Sequence, residues 1–247
     1  MSKDITSQSL ATSIRVNPGR TRGRRLSDSP AAPFAALIAA LALGCGSGGP
    51  SSGDDTSAGS VQAAAGGQVV VSTFESGLGS SFQMDWRAIN DNPAGGTSTA
   101  MMELVSGGAA GTQKALHVTG VAKVQDFPFP FAGLALPLGP ISNGKPAPVD
   151  ISKHTGLRFW ARGNGKRYLV RPQGTDVKDF NYHHYVFTAG PEWQQHAVQF
   201  SNLVQFDWGE KVPWTGKSIA ALVFVNYSAP GEDFGAIDFT VDEVELF

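Results

Sequence analysis

The chain has 247 residues, a formal net charge of −2, 41% hydrophobic residues, 30 Gly, 15 Pro and one cysteine. That is globular composition diluted by flexible segments, and a lone thiol excludes an internal disulfide. Lys3, Arg15, Arg20, Arg22, Arg24 and Arg25 against Asp4 and Asp28 put the first 45 residues at +4 and the rest at −6, a poor balance for binding nucleic acid.

The N-terminus reads as an export signal. A basic stretch, RTRGRR, precedes an apolar run from Ala31 to Leu43, and small residues then lead to Cys45. About 13 residues make a helix of about 20 Å, too short to span a bilayer. The segment ALGC resembles a bacterial lipoprotein signal, which implies that Cys45 is lipidated and becomes the new N-terminus. An ordinary secretory signal with a chance cysteine is the alternative. Lipidation would hold the protein in the cell envelope through buried acyl chains, with no spanning helix. Residues 46–67, GSGGPSSGDDTSAGSVQAAAGG, are too polar and too rich in Gly, Ser and Ala to pack, and read as a tether. The boundaries are therefore 1–45 signal, 46–67 linker and 68–247 one folded domain.

Within that domain the period is close to two. QVVVSTFE, ALHVTGVAKV, GLRFWARG, KRYLVRPQ, HHYVFTAG, WQQHAVQFSNL, IAALVFVNYS and IDFTVDEVELF are short β-branched and aromatic runs between turn residues. A helical turn is expected only around Lys217–Ala221. The expected class is all-β, an antiparallel β-sandwich.

Alternation divides the faces. Leu157, Phe159 and Ala161 take one side of GLRFWARG, leaving Arg158, Trp160 and Arg162 on the other. GNGK reads as a tight turn that returns the chain with Tyr168 and Val170 inward and Arg167, Leu169 and Arg171 outward. Val198 and Phe200 face the core, Ala197 and Gln199 face out. One sheet surface is thus expected to gather Arg158, Trp160, Arg171 and Gln199, a polar surface with an aromatic platform that suits sugars. The plainer alternative is ordinary solvent-facing residues, with Trp160 covering a core edge. In the loop QFDWGEKVPWTGKS, Asp207, Trp208 and Trp214 are candidates for ligand contact, or else the two tryptophans cap the sandwich.

INDNPAGGTSTAMMEL, FPFAGLALPL, VDISKHTGLRFWARGNGKRYLVR, EWQQHAVQFSNL and IDFTVDEVELF follow one another as in a known family. They resemble the NADH:ubiquinone oxidoreductase (complex I) intermediate-associated proteins. The corresponding motif positions are Asp91, Gly95, Gly96 and Ser98, then Arg162, Gly163, Gly165 and Tyr168, then Trp193. The same order is similar to family eleven carbohydrate-binding modules. The resemblance implies a galactose-binding-like jelly roll that binds without catalysis, with a carbohydrate or a protein as partner. Jelly rolls of this kind often hold a structural calcium between an acid near the first strand and one on the last, here Glu75 and Asp242; a solvated Glu75 and an Asp242 satisfied by backbone amides is the alternative.

Catalytic patterns are lacking. His183 and His184 are adjacent and point to opposite faces of a strand, and no HxH, HExxH or G-x-S-x-G spacing is present. GNGKRY lacks the third glycine of a dinucleotide loop. Glu232–Asp233 and Asp242–Glu243 stay open as acid pairs, because glycosidase carboxylates meet in space rather than in sequence. The expectation is an exported binding module, with a scaffolding factor as the alternative.

Overall fold

The computed structural model describes residues 67–247 apart from Asp126 and Pro230. The signal, Cys45 and all of the linker but Gly67 lie outside the described residues. Among the described residues no helix is long and apolar enough to cross a membrane.

Among the described residues thirteen strands run in chain order: β1 Val69–Ser72, β2 Arg87–Asn90, β3 Thr99–Ser106, β4 Lys114–Ala122, β5 Ala132–Pro137, β6 Ile141–Ser142, β7 Lys145–Pro146, β8 Gly156–Gly163, β9 Arg167–Gly174, β10 Tyr185–Thr188, β11 Gln194–Gln199, β12 Ile219–Asn226 and β13 Gly235–Leu246. They form two antiparallel layers. The first has the order β11-β8-β13-β4-β3, with β1 also on β13; the second has the order β10-β9-β12-β5-β2. The architecture is the expected β-sandwich. The turn expected around Lys217–Ala221 is instead the start of β12, since Ile219 and Ala221 are buried in the sheet.

Period-two alternation builds the core. Leu157, Phe159 and Ala161 from one layer meet Tyr168, Val170, Leu222 and Phe224 from the other, all buried. Rings interlock edge to face, with Phe159 5.0 Å from Phe224 at 85° and 5.1 Å from Phe187 at 74°. Trp86 is fully buried, and its Nε1–H donates to Ser72 Oγ at 2.9 Å, so its polar edge is satisfied.

One expectation fails. Asn164–Gly165 is not a hairpin within a sheet. β8 pairs with β11 and β13, whereas β9 pairs with β10 and β12. Gly165, at φ 80°, turns the chain from the first layer into the second. The reason is burial: both strands carry an apolar face, and stacking the two faces across the sandwich removes both from water.

Candidate functional site

The crossing splits the expected polar surface in two. Arg158, Trp160 and Gln199 lie on the outer face of the first sheet; Arg171 projects from the second, on the far side of the molecule. Arg158 Nη1 lies 3.3 Å from Glu245 Oε2, and its guanidinium sits over the Phe247 ring at 5.0 Å, so its charge is already compensated. Trp160 stands between Gln195 and Asp242 in the ladder. Beside them is an open depression of about 460 Å³ lined by Val105, His117, Arg162, Pro191, Asp238 and Thr240. Arg162 lies over Trp193 at 4.7 Å, and His117 Nε2 lies 2.9 Å from Asp238 Oδ1.

The outer face of the second sheet is different. Ala135, Leu169, Ala221, Val223 and Val225 form an apolar floor, covered by Phe131, Phe206, Tyr227 and others. The Phe206 ring lies within 9° of parallel to Trp208 and within 10° of parallel to Tyr227, with centroids 6.1 and 6.3 Å away. Those separations exceed the thickness of a face-to-face stack, so the rings are offset into a stepped platform. His184, buried beneath, stacks on Phe206 at 4.1 Å. Arg167 lies over Tyr227 at 4.7 Å, and Trp208 is 37% exposed.

The platform is held by the side chain of Asn181. Its Oδ1 accepts the Phe206 N–H at 2.8 Å, and its Nδ2 donates to the carbonyls of Phe206 and Trp208. Asp179 Oδ2 accepts the Glu210 N–H at 2.6 Å, fixing the next turn. On the other flank, Asn226 Oδ1 accepts from Ala132 N–H at 2.9 Å and Nδ2 donates to Pro130 O at 3.0 Å. Burial pushes His184 below the ordinary imidazole range and Tyr182 above the ordinary phenol value.

Of the loop candidates, Trp208 belongs to the platform. Asp207 lies 3.7 Å from Lys211 Nζ at the surface, and Trp214 turns toward the main core, 4.9 Å from Phe200. Phe206, Tyr227 and Arg167 were not singled out as ligand contacts from sequence. The available signal was period two: Val223, Val225 and Tyr227 continue one face of β12 past its end.

The model of the complex I intermediate-associated protein 30 family matches residues 74–224. The chain belongs to this family. It is also 31% identical over 148 residues to Endoglucanase 3 of Fibrobacter succinogenes, a match covering 56% of this chain and 21% of that enzyme. The chain thus spans about a fifth of the curated relative it matches. The family 11 carbohydrate-binding module of the cellulosomal cellulase Lic26A-Cel5E of Clostridium thermocellum superposes with a TM-score of 0.52 at 18% identity, covering 73% of this chain and 94% of that one. The family 11 module in complex with a β-1,3-1,4-mixed-linked tetrasaccharide gives 0.51 at 17% identity, covering 73% and 95%. At these identities the likeness establishes the fold.

In this complex I intermediate-associated protein 30 family member, the motif residues Asp91, Gly96, Ser98 and Tyr168 are structural. Asp91 is fully buried; its carboxylate accepts from Ser98 N–H at 2.9 Å, Ser98 Oγ–H at 2.6 Å and Phe131 N–H at 3.2 Å, tying the β2–β3 turn to β5. A Cβ on Gly96 would lie 2.3 Å from that carboxylate. Tyr168 Oη donates to Asn164 Oδ1 at 3.0 Å and accepts from Asp238 N–H at 3.1 Å, locking the turn between layers.

Glu75 and Asp242 are both engaged by the protein. Glu75 Oε1 accepts the N–H groups of Gln113 and Lys114, each at 2.8 Å. Asp242 Oδ2 accepts from Ala109 N–H at 2.8 Å and Thr112 Oγ1–H at 2.7 Å, and Oδ1 from Glu243 N–H at 2.8 Å. Protein donors thus take Glu75 Oε1 and both Asp242 oxygens, while Glu75 Oε2 receives none of these bonds. Burial pushes the Asp242 carboxyl up despite those bonds. Asp233 Oδ1 likewise accepts the Val124 N–H, at 2.5 Å.

Proposed function

We propose that the domain is a non-catalytic carbohydrate-binding module that grips polysaccharide on the outer face of its second sheet. The observation that carries this reading is the Trp208–Phe206–Tyr227 platform, three near-parallel rings beside Arg167 and Arg171. Flat rings accept the C–H faces of sugars while guanidinium groups bond to hydroxyls. The resemblance of one segment to part of an endoglucanase, and of the fold to a module in complex with a tetrasaccharide, supports it. We also propose that Cys45 carries a lipid and residues 46–67 tether the module in a bacterial cell envelope.

Affinity electrophoresis of the full chain in polysaccharide gels tests the binding claim. Trp208→Ala and Tyr227→Ala should each weaken retardation about tenfold, roughly 1.4 kcal/mol. Equal retardation of both variants and the parent would remove the platform from the account. For the anchor, Cys45→Ser should move the protein from membranes to the soluble fraction and abolish labelling by radioactive palmitate.

The second reading, a scaffold for a protein partner, has its own surface. Met101, 70% exposed on β3, and Val121, 40% exposed on β4, lie on the first sheet. A partner whose co-purification is lost in Met101→Asp and kept in Trp208→Ala would favour it.

A further inference from the structure

The outer face of the second sheet carries three arginines. Arg87 pairs with Ala135, Ala135 with Val223, and Val223 with Arg171, so Arg87 and Arg171 stand in one row. Three strand spacings separate them, about 14 Å. Arg167 lies four residues along β9 on the same face. Among the described residues none of these three arginines has a carboxylate within ion-pair distance. Of the acids in the neighbouring loops, Asp207 lies 3.7 Å from Lys211 Nζ, and Asp179 accepts the N–H groups of Asn181 and Glu210.

Arg171 is the sharpest case. Its Nε is buried and has no hydrogen-bond partner, and its guanidinium lies over the Tyr182 ring at 5.8 Å. Guanidinium stays charged, and proteins do not bury its donors without an acceptor unless something else supplies one. Arg171 lies opposite Val223, part of the apolar floor that Phe206 and Tyr227 cover, so this cation stands beside the platform.

We propose that the polysaccharide taken by this face is anionic, and that an oxyanion on one of its sugars, a carboxylate or a sulfate ester, docks on Arg171 while neighbouring rings rest on Phe206, Trp208 and Tyr227. This rests on the carbohydrate-binding reading above. The domain's overall negative charge does not oppose it. At physiological salt, charges more than about 8 Å away are largely screened, so the local arginines set the potential at the site. A planar carboxylate or a sulfate also matches the donor fork of guanidinium.

The test is affinity electrophoresis of the full chain against five polymers: polygalacturonate, its methyl ester, a sulfated galactan, the same galactan desulfated, and neutral β-1,3-1,4-glucan. The expected result is retardation by an acidic polymer that weakens at least tenfold when the polymer is esterified or desulfated. Arg171→Gln should weaken binding to the acidic polymer about tenfold, and Arg171→Lys should retain part of it. Binding to polygalacturonate alone assigns the carboxylate, and binding to the sulfated galactan alone assigns the sulfate. Retardation by the neutral polymers equal to that by the acidic ones, or an Arg171→Gln variant indistinguishable from the parent, overturns the anionic assignment and leaves the carbohydrate reading standing. No retardation by any of the five overturns both. The polymer comparison decides the matter on the parent protein even if an Arg171 variant fails to fold.

Discussion

Burial of Tyr168 and of four histidines ties stability to pH at the two ends of the range. Burial raises the Tyr168 phenol to about 12, so above pH 10 the unfolded chain ionises at this position before the native one does. Stability is therefore lost as pH rises beyond about 10. Tyr168→Phe should cost about 1–2 kcal/mol at neutral pH, through the lost hydroxyl bonds, and should flatten that alkaline decline in melting temperature. On the acid side, burial holds His154, His183, His184 and His196 below the ordinary imidazole range. The unfolded chain then binds protons that the native state refuses, so stability is full above about pH 6.5 and falls as pH drops below it. Asp242 and Glu243, raised by burial, oppose this at lower pH, because the native state favours their neutral forms. His196, whose buried Nε2 has no partner, is the cleanest probe. His196→Phe should flatten the decline in melting temperature between pH 7 and 5.5. An unchanged slope would remove His196 from the account.

At the scale of elements, the turn between β2 and β3 is a small knot with large consequences. Asp91→Ala would strand the Ser98 and Phe131 donors and should cost about 2–4 kcal/mol, read as a shift of the urea midpoint. Gly96→Ala should cost a similar amount, because the added Cβ enters the Asp91 carboxylate. Much of this level was readable from sequence. Each of the eight expected runs contains a strand, and alternation placed Leu157, Phe159, Tyr168 and Val170 inward. What could not be read is which sheet each strand joins. GNGK announces a reversal of direction, and both a hairpin and a crossing between layers satisfy that; the choice depends on which apolar faces find each other. The site was legible only in fragments for a related reason. Trp208 stood out as an exposed tryptophan in a loop, but Phe206, Tyr227 and Arg167 come from three separate segments that meet only once the second sheet has formed. Asn181, which positions two of the rings, carries no signal until its acceptors are known.

For the whole molecule, the two outer faces make opposite predictions. The first sheet carries the wide polar depression and Trp160; the second carries the ring platform and the unpaired arginines. Trp160→Ala should leave polysaccharide affinity within twofold of the parent, whereas Trp208→Ala should not. The reverse result in the same gels would transfer the site to the first sheet, where His117, Arg162 and Asp238 line the depression.

The pairing of the first strand with the last has an engineering consequence. Val69 lies opposite Leu246, so the two ends of the domain are neighbours in one ladder. A short linker from Phe247 back to Gln68 would close the chain into a ring, and cutting it at the exposed Asn143–Gly144 turn between β6 and β7 would reopen it elsewhere. Such a circular permutant should keep the same sandwich and the same ring platform. It would also move the chain ends from the β1–β13 ladder to the β6–β7 turn, so a fused partner could be attached at a different place relative to the ring platform.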